Sequence, residues 1–215
     1  MQLISINIGR KQFIPTRGLS VGTGIFKKPV DSPVIISRLG LEDDYISNKK
    51  HHGGPDQAVY IYGQGDYDWW ELELGQKFSP GTFGENLTVS SLESAAFYIG
   101  DRVKIGAVIL EVTAPRIPCD TFATRMGDPG FIDRFRNAER PGLYCRVLQE
   151  GTIRIGEEVT FESCRNDKVT LMEIFRDYYA KAADVSTLQR FLRSPIASRA
   201  RKDLERRLEK MLAKG

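Results

Sequence analysis

Cys119 is the residue whose type and setting could do chemistry. It stands in Ala114-Pro115-Arg116-Ile117-Pro118-Cys119-Asp120-Thr121-Phe122, directly after a long strand-like run. Two prolines remove backbone donors, so a strand cannot continue through them. The cysteine is therefore expected in a stiff loop at a strand end. Arg116 lies three residues upstream, and a neighbouring guanidinium favours thiolate over thiol. A soft thiolate suits a soft metal such as molybdenum or copper. The same segment also reads as a buried, inert cysteine, and at this level both readings stand. Cys145 falls within Leu143 to Leu148 on the strand face of Leu143 and Val147, the pattern of a small core residue. Cys164 lies where the character of the chain changes and carries no motif.

Three other segments could hold a ligand. Lys49-Lys50-His51-His52-Gly53-Gly54-Pro55-Asp56 contains both histidines of the chain. No further ligand lies nearby at zinc spacing. Adjacent residues of an extended stretch point opposite ways. Paired glycines allow close backbone approach, and lysines, an imidazole and free N–H groups suit an anion such as phosphate. A polar turn is the plainer alternative. In Phe83-Gly84-Glu85-Asn86-Leu87-Thr88, Asn86 offers donor and acceptor to a heterocycle edge, although asparagine is also common in turns. Lys27, in Gly24-Ile25-Phe26-Lys27-Lys28-Pro29, reads as a phosphate contact or as a solvated lysine. The chain has no Walker loop, GxGxxG, HExxH or GxSxG. A cysteine hydrolase pairing Cys119 with His51 or His52 lacks an evident third residue to order it.

These residues need a frame. The first 163 residues read as short strands between glycine-containing turns: Leu3 to Ile8, Val34 to Ser37, Ala58 to Tyr62 and Val103 to Val112. Leu143 to Leu148 and Ile153 to Phe161 are expected to form a hairpin across Glu150-Gly151. Ile99-Gly100-Asp101-Arg102-Val103 resembles Ile155-Gly156-Glu157-Glu158-Val159 and marks two tight leads into strands. Helices are expected over Asp66 to Leu74, closed by Gly75, and Phe131 to Ala138. Many short strands with few helices predict a closed or nearly closed β-barrel over residues 1–163.

After Cys164 the pattern turns helical. Asp167 is expected to cap a helix through Tyr179, with Val169, Met172, Ile174 and Phe175 apolar. Asp184 caps a second with Leu188, Phe191 and Leu192, and Pro195 suits the start of a third. There Leu204, Leu208, Met211 and Leu212 share one face. The fold class is mainly β with an α appendage, a three-helix unit over residues 167–215. Some 50 residues bury too little to stand alone, so the helices are expected to lean on the barrel.

Charge divides at the same place. The 215 residues carry net +3, yet Met1 to Cys164 holds 18 basic and 21 acidic residues, net −3, and Arg165 to Gly215 holds 13 and 7, net +6. A solvated helical face explains the tail most simply, and an acidic partner is the alternative. Nucleic acid is not expected. No apolar run approaches the roughly 20 residues of a membrane span, and the first residues lack a signal-peptide pattern. Three widely spaced cysteines argue for a reducing compartment, the cytoplasm.

In order, GIFKKPV, KHHGGPDQAVY, FGENLTV, YIGDRVKIG, PRIPCDTF, GLYCRV and IRIGEEV resemble the MOSC superfamily, named for the C-terminal domain of molybdenum cofactor sulfurases. The bacterial YiiM-like branch, with its C-terminal three-helix domain, is the nearest match. The resemblance implies a MOSC-type β-barrel whose pocket holds the molybdopterin form of the molybdenum cofactor, with Cys119 as the catalytic ligand to the molybdenum ion. It implies cofactor-pocket roles for Lys27, His52, Asn86 and Arg116. The implied activity is detoxifying reduction of N-hydroxylated compounds, including purines such as 6-hydroxylaminopurine. The resemblance implies a separate flavoprotein reductase as electron donor, and with no flavin or nicotinamide motif visible a partner must supply the electrons. Pyridoxal phosphate is not expected. Two other classes stay open: sulfur transfer through a persulfide on Cys119, and a non-catalytic cofactor carrier.

Overall fold

The computed structural model describes residues 1–16, 19–47, 53–164 and 168–213. Its strands are β1 (Leu3–Gly9), β2 (Gln12–Thr16), β3 (Leu19–Thr23), β4 (Lys27–Pro29), β5 (Val34–Ser37), β6 (Gly40–Leu41) and β7 (Val59–Gly63). Helix α1 (Gln64–Leu74) and β8 (Leu87–Val89) follow, then β9 (Arg102–Ile105) and β10 (Val108–Pro115). Next come α2 (Asp120–Met126), α3 (Phe131–Ala138), β11 (Leu143–Gln149), β12 (Gly151–Ile153) and β13 (Val159–Glu162). The chain ends in α4 (Leu171–Ala180), α5 (Val185–Arg193) and α6 (Ser198–Leu212).

Eight strands form one mixed sheet in the order β13-β9-β10-β11-β7-β8-β1-β4. Its pairs are antiparallel except β7 with β8. The expected barrel does not close. The outer edge of β1 is divided: Asn7 to Gly9 pairs with β4, while its start meets the lead into β13 in a short bridge, Gln2 opposite Glu158. Leu3 N–H donates to Glu157 O and Val159 N–H to Met1 O, each at 2.9 Å. The two similar glycine leads do enter strands, β9 and β13, and these pair with each other. The run from Val103 to Val112 is broken by a turn at Gly106, whose φ is +54°, into β9 and β10. The hairpin expected across Glu150-Gly151 is absent, because β12 turns away to pair with β5.

Helix and strand content are comparable, so the α component is more than an appendage. The unexpected helix is α2, which starts straight after Cys119 and closes at Gly127 with φ +68°. Helices α1, α2 and α3 enclose an aromatic cluster with the sheet: Tyr60, Tyr62, Trp70, Phe83, Phe122 and Phe135 are all 2% exposed or less. That packing fixes the start of α2 relative to β7 and β11.

The three C-terminal helices do lean on the sheet. Leu171, Ile174, Leu188, Phe191, Ile196 and Leu204 join the same buried cluster as Val103, Val112 and Val147. Asp167 lies outside the described residues. Thr170 caps α4 instead, in a capping box with Glu173. The third helix starts at Ser198, three residues beyond Pro195. On it Leu204 is buried and Leu208 packs on the core, but Met211 and Leu212 are exposed. Among the described residues no helix is long and apolar enough to cross a membrane.

Candidate functional site

The link from β10 to α2 carries Arg116 and Cys119 to a cleft that Lys27, Asp44, Tyr60, Asn86 and Tyr144 also line. Four of the five residues singled out in the sequence thus meet: Lys27 from β4, Asn86 from the turn before β8, and Arg116 and Cys119. The fifth, His52, lies outside the described residues, as does His51. The cleft holds about 90 Å³, and segment 48–52 joins Ser47 to Gly53, both in its wall.

Lys27 and Asn86 are committed to a residue the sequence did not reveal. Lys27 Nζ lies 2.5 Å from both oxygens of Asp44, and both side chains are buried, 8% and 2% exposed. Burial pushes the Lys27 pKa down against the pull of Asp44. Asp44 also accepts from Gly9 N–H at 2.7 Å and from Asn86 Nδ2 at 2.9 Å. Asn86 Oδ1 in turn accepts from Tyr60 N–H at 3.1 Å. Both ends of the amide and the lysine charge are therefore satisfied within the protein. Nothing in Glu42-Asp43-Asp44 marks the third residue as different from its neighbours; its place follows from the backbone beside β1.

Arg116 is the opposite case. It is 5% exposed. Nη1 donates to Phe83 O at 3.0 Å, and the guanidinium carbon sits 4.5 Å from the Phe122 ring centre and 5.1 Å from that of Tyr60. Nε is buried with no hydrogen-bond partner. Among the described residues no carboxylate forms an ion pair with it. Burial opposes its charge, but Tyr144, Tyr60 and Cys119 outweigh burial, and the pKa is raised. An unpaired buried cation is costly unless something anionic joins it. Gly84 leaves room beside it: φ there is +74°, and a Cβ would lie 3.2 Å from Nη1.

Cys119 is partly exposed and outside any disulfide. It occupies the N-cap position of α2, where its carbonyl accepts from Phe122 N–H at 2.9 Å and Ala123 N–H at 3.0 Å. Its backbone is thus fixed and its thiol lines the cleft. Cys145, by contrast, is fully buried, and burial raises its thiol pKa well above the ordinary value. Among the described residues no three His, Cys, Asp or Glu side chains are grouped to hold a metal ion. A metal at Cys119 would take its other ligands from a cofactor.

A family model described as the MOSC domain matches residues 48–160. The chain belongs to the MOSC domain family. This is a family of molybdenum-cofactor-binding domains that includes cofactor-dependent reductases. The chain is 32% identical to YflK of Bacillus subtilis over 190 residues, covering 88% of this chain and 86% of that protein. It is 30% identical to YiiM of Escherichia coli over 154 residues, 70% of this chain and 68% of that one. A protein of Gibberella moniliformis named reductase is 32% identical over 161 residues, but these span only 27% of its length. The crystal structure of YiiM from Geobacillus stearothermophilus superposes with a TM-score of 0.78 at 27% identity, covering 96% of this chain and 98% of that one. The MOSC match spans β7 to β13 and so includes Asn86, Arg116 and Cys119. Lys27, on β4, and Asp44, in the loop after β6, enter the MOSC cleft from the part of the chain that precedes the match.

Glu85 is a further buried group the sequence gave no reason to single out. It is fully buried, and burial raises its pKa. Its Oε1 accepts from Tyr67 OH at 2.7 Å and Thr88 Oγ1 at 2.9 Å. It ties the Gly84-Glu85-Asn86 turn to α1 and β8 and so sets the floor under Arg116.

Proposed function

We propose that this protein is a molybdenum-cofactor-dependent reductase of N-hydroxylated compounds, N-hydroxylated purines such as 6-hydroxylaminopurine among them. Electrons would come from a separate flavoprotein. The observation that carries this reading is the pairing of Cys119 with Arg116 in one cleft: a fixed, partly exposed thiol beside a buried guanidinium whose Nε has no partner. The donor set fits the molybdopterin form of the cofactor. A thiolate supplies the soft protein ligand, and the guanidinium answers an anionic group.

The overall reaction takes R–NHOH, two electrons and two protons to R–NH2 and water. When bound, the cofactor supplies the two-electron redox chemistry at molybdenum. Cys119 would bind the metal, held by the backbone bonds of α2. Arg116 would bind the anionic part of the cofactor. Tyr60 and Tyr144, with ring centres 4.8 Å apart, wall the cleft on the side of Arg116. Lys27 and Asn86 act through Asp44, and Asn86 also holds the Tyr60 backbone. His52 keeps its proposed role in the same pocket.

The test is the molybdenum content of freshly purified protein from cells supplied with molybdate, with reduction of 6-hydroxylaminopurine by a supplied flavoprotein reductase. Stoichiometric molybdenum and turnover, both lost in Cys119→Ser, support the reading. A persulfide on Cys119 in metal-free, inactive protein would establish sulfur transfer instead. Molybdenum without turnover would establish a carrier.

A further inference from the structure

The aromatic cluster beside the cleft holds four tyrosines, and three of them commit their hydroxyls to the protein. Tyr60 OH donates to Pro141 O at 3.0 Å, Tyr62 OH to Arg140 O at 3.1 Å and Tyr67 OH to Glu85 Oε1 at 2.7 Å. Tyr144 is the fourth. Among the described residues its hydroxyl has no hydrogen-bond partner, and the residue is half-buried in the cleft wall. A phenol packed among aromatic rings normally finds a partner for its O–H. One kept open beside a cleft is a donor for what enters it.

The strand places it there. On β11 Leu143, Cys145 and Val147 are in the core, so alternation turns Tyr144 to the other face. Tyr144 stands opposite Tyr60 of β7, and their rings lie 4.8 Å apart. The Tyr60 ring also carries the Arg116 guanidinium at 5.1 Å. Cys119 packs on the same cluster. Burial raises the pKa of the Tyr144 phenol, and the charges of Arg116 and Cys119 both reach it. The hydroxyl therefore stands on the Cys119 side of the cleft as a neutral donor. Lys27 and Asn86 are held by Asp44, and Arg116 answers the cofactor's anion, so none of those three is left for a substrate oxygen.

We propose that the Tyr144 hydroxyl donates a hydrogen bond to the oxygen of the N-hydroxylated substrate and so orients the N–O bond toward Cys119. This rests on the reductase reading of the cleft and adds to it the residue that tells the N–OH group of the substrate from the NH2 group of the product. A hydroxylamine oxygen keeps lone pairs that accept, whereas an amino nitrogen conjugated with a purine ring accepts poorly. The bond is thus made with the substrate and lost with the product, the kind of contact that gives a polar site its selectivity. Tyr144 keeps its proton throughout.

The test is Tyr144→Phe, which keeps the ring stack and removes one oxygen. Molybdenum content and melting temperature of the variant should match those of the intact protein. With 6-hydroxylaminopurine and a supplied flavoprotein reductase, kcat/KM should fall about tenfold, the scale of one hydrogen bond. The second readout is calorimetric titration of the molybdenum-loaded protein without an electron donor, where the substrate binds but is not turned over. There 6-hydroxylaminopurine should lose about tenfold in affinity in the variant, and adenine should lose none. Unchanged kcat/KM and affinity in Tyr144→Phe overturn the proposal, and losses in Thr121→Val in their place would give the role to the cleft-lining hydroxyl of α2. Equal losses for 6-hydroxylaminopurine and adenine would reduce Tyr144 to packing, and a fall in molybdenum content would make it a support for the cofactor; either overturns the proposal. These failures show only in the variants. Failure of the reductase reading shows in the intact protein as absence of turnover, and it takes the proposal with it.

Discussion

Asp44 binds Lys27 and Asn86 at once, with Lys27 Nζ 2.5 Å from both carboxylate oxygens and Asn86 Nδ2 2.9 Å from one. The resemblance alone expects Lys27→Ala to lower cofactor occupancy more than stability. The buried pair reverses that order. Removing one partner leaves the other as an uncompensated buried charge, which costs about 3–5 kcal/mol. Lys27→Ala and Asp44→Ala should each lower the unfolding free energy from urea titration by that amount. The double variant Lys27→Met, Asp44→Leu should recover most of the loss, since it buries no charge. A double-mutant cycle with no coupling would show that the pair is not formed in solution.

Arg116 should behave in the opposite way. It has no carboxylate partner among the described residues and an unsatisfied Nε. Arg116→Met keeps much of the packing against Phe122 and removes the unpaired charge. Stability of the metal-free protein is expected to stay within about 1 kcal/mol or to rise. Molybdenum content should fall sharply. Arg116→Lys should also lose occupancy, because an ammonium neither stacks nor forks as a guanidinium does. Full molybdenum content in Arg116→Met would remove the anion-anchor role.

The two cysteines separate activity from packing. Cys119→Ser should abolish reduction and bound molybdenum with the fold intact by circular dichroism. Cys145 is fully buried in β11, so Cys145→Ser places a hydroxyl in the core. It should cost about 1–3 kcal/mol and leave turnover per bound molybdenum unchanged. Turnover surviving in Cys119→Ser would end the metal-ligand assignment.

Much of this was legible in the sequence, and the failures have physical causes. Alternation marked β1, β-branched content marked β5, and β11 was placed nearly to the residue, while Gly75 closed α1 where expected. Helix α2 was hidden because its lead, Pro118-Cys119, carries loop signals and the helix is only seven residues long; Gly127 was its one visible mark. The Glu150-Gly151 hairpin failed because β5 offered β12 a different edge, a tertiary choice no local pattern records. Cys119 and Arg116 were found because prolines and charge isolate them. Asp44 was not, since an aspartate among acidic neighbours acquires its role only when β1, β4 and the turn before β8 meet around it.

Acid should loosen the C-terminal helices from one another and, at Asp56, from the sheet. Burial works against the charges of Asp56, Asp177 and Glu173. Hydrogen bonds and ion pairs, from Ser198 and Arg146 at Asp56, Arg207 and Ala183 at Asp177, and Arg190 and Thr170 at Glu173, outweigh it and lower all three pKa values. A carboxylate whose folded pKa lies below its unfolded one stabilises the fold above the unfolded value and loses that contribution as pH falls through the folded one. The ordinary values are 3.8 for Asp and 4.5 for Glu. Stability from these groups should be flat from pH 7 to about 5 and decline below about 4. Urea midpoints across that range check it, and Asp177→Asn should flatten part of the decline.

The last prediction concerns residues 167–215, read from the sequence as a unit of their own with net charge +6 over Arg165 to Gly215. A chain ending near Cys164 would uncover the sheet residues now packed by Leu171, Leu188, Phe191 and Leu204. Each such side chain contributes about 1.5–3 kcal/mol when buried. Four together approach the whole stability of a domain, about 5–15 kcal/mol. Truncation should therefore give insoluble or cofactor-free protein, and a soluble, molybdenum-loaded truncation would show that the sheet stands alone. Docking of an acidic flavoprotein must be tested in the intact chain instead. Lys202 and Lys210 are exposed on α6, so Lys202→Glu with Lys210→Glu changes the surface without touching the core. If the tail steers the reductase, the rate with the protein donor should fall several-fold in this variant and with rising salt. The rate with a small chemical reductant should stay constant. Equal losses with both donors would mean the substitutions disturbed the fold, and no loss with either would leave the basic helices as a solvated cover over the sheet.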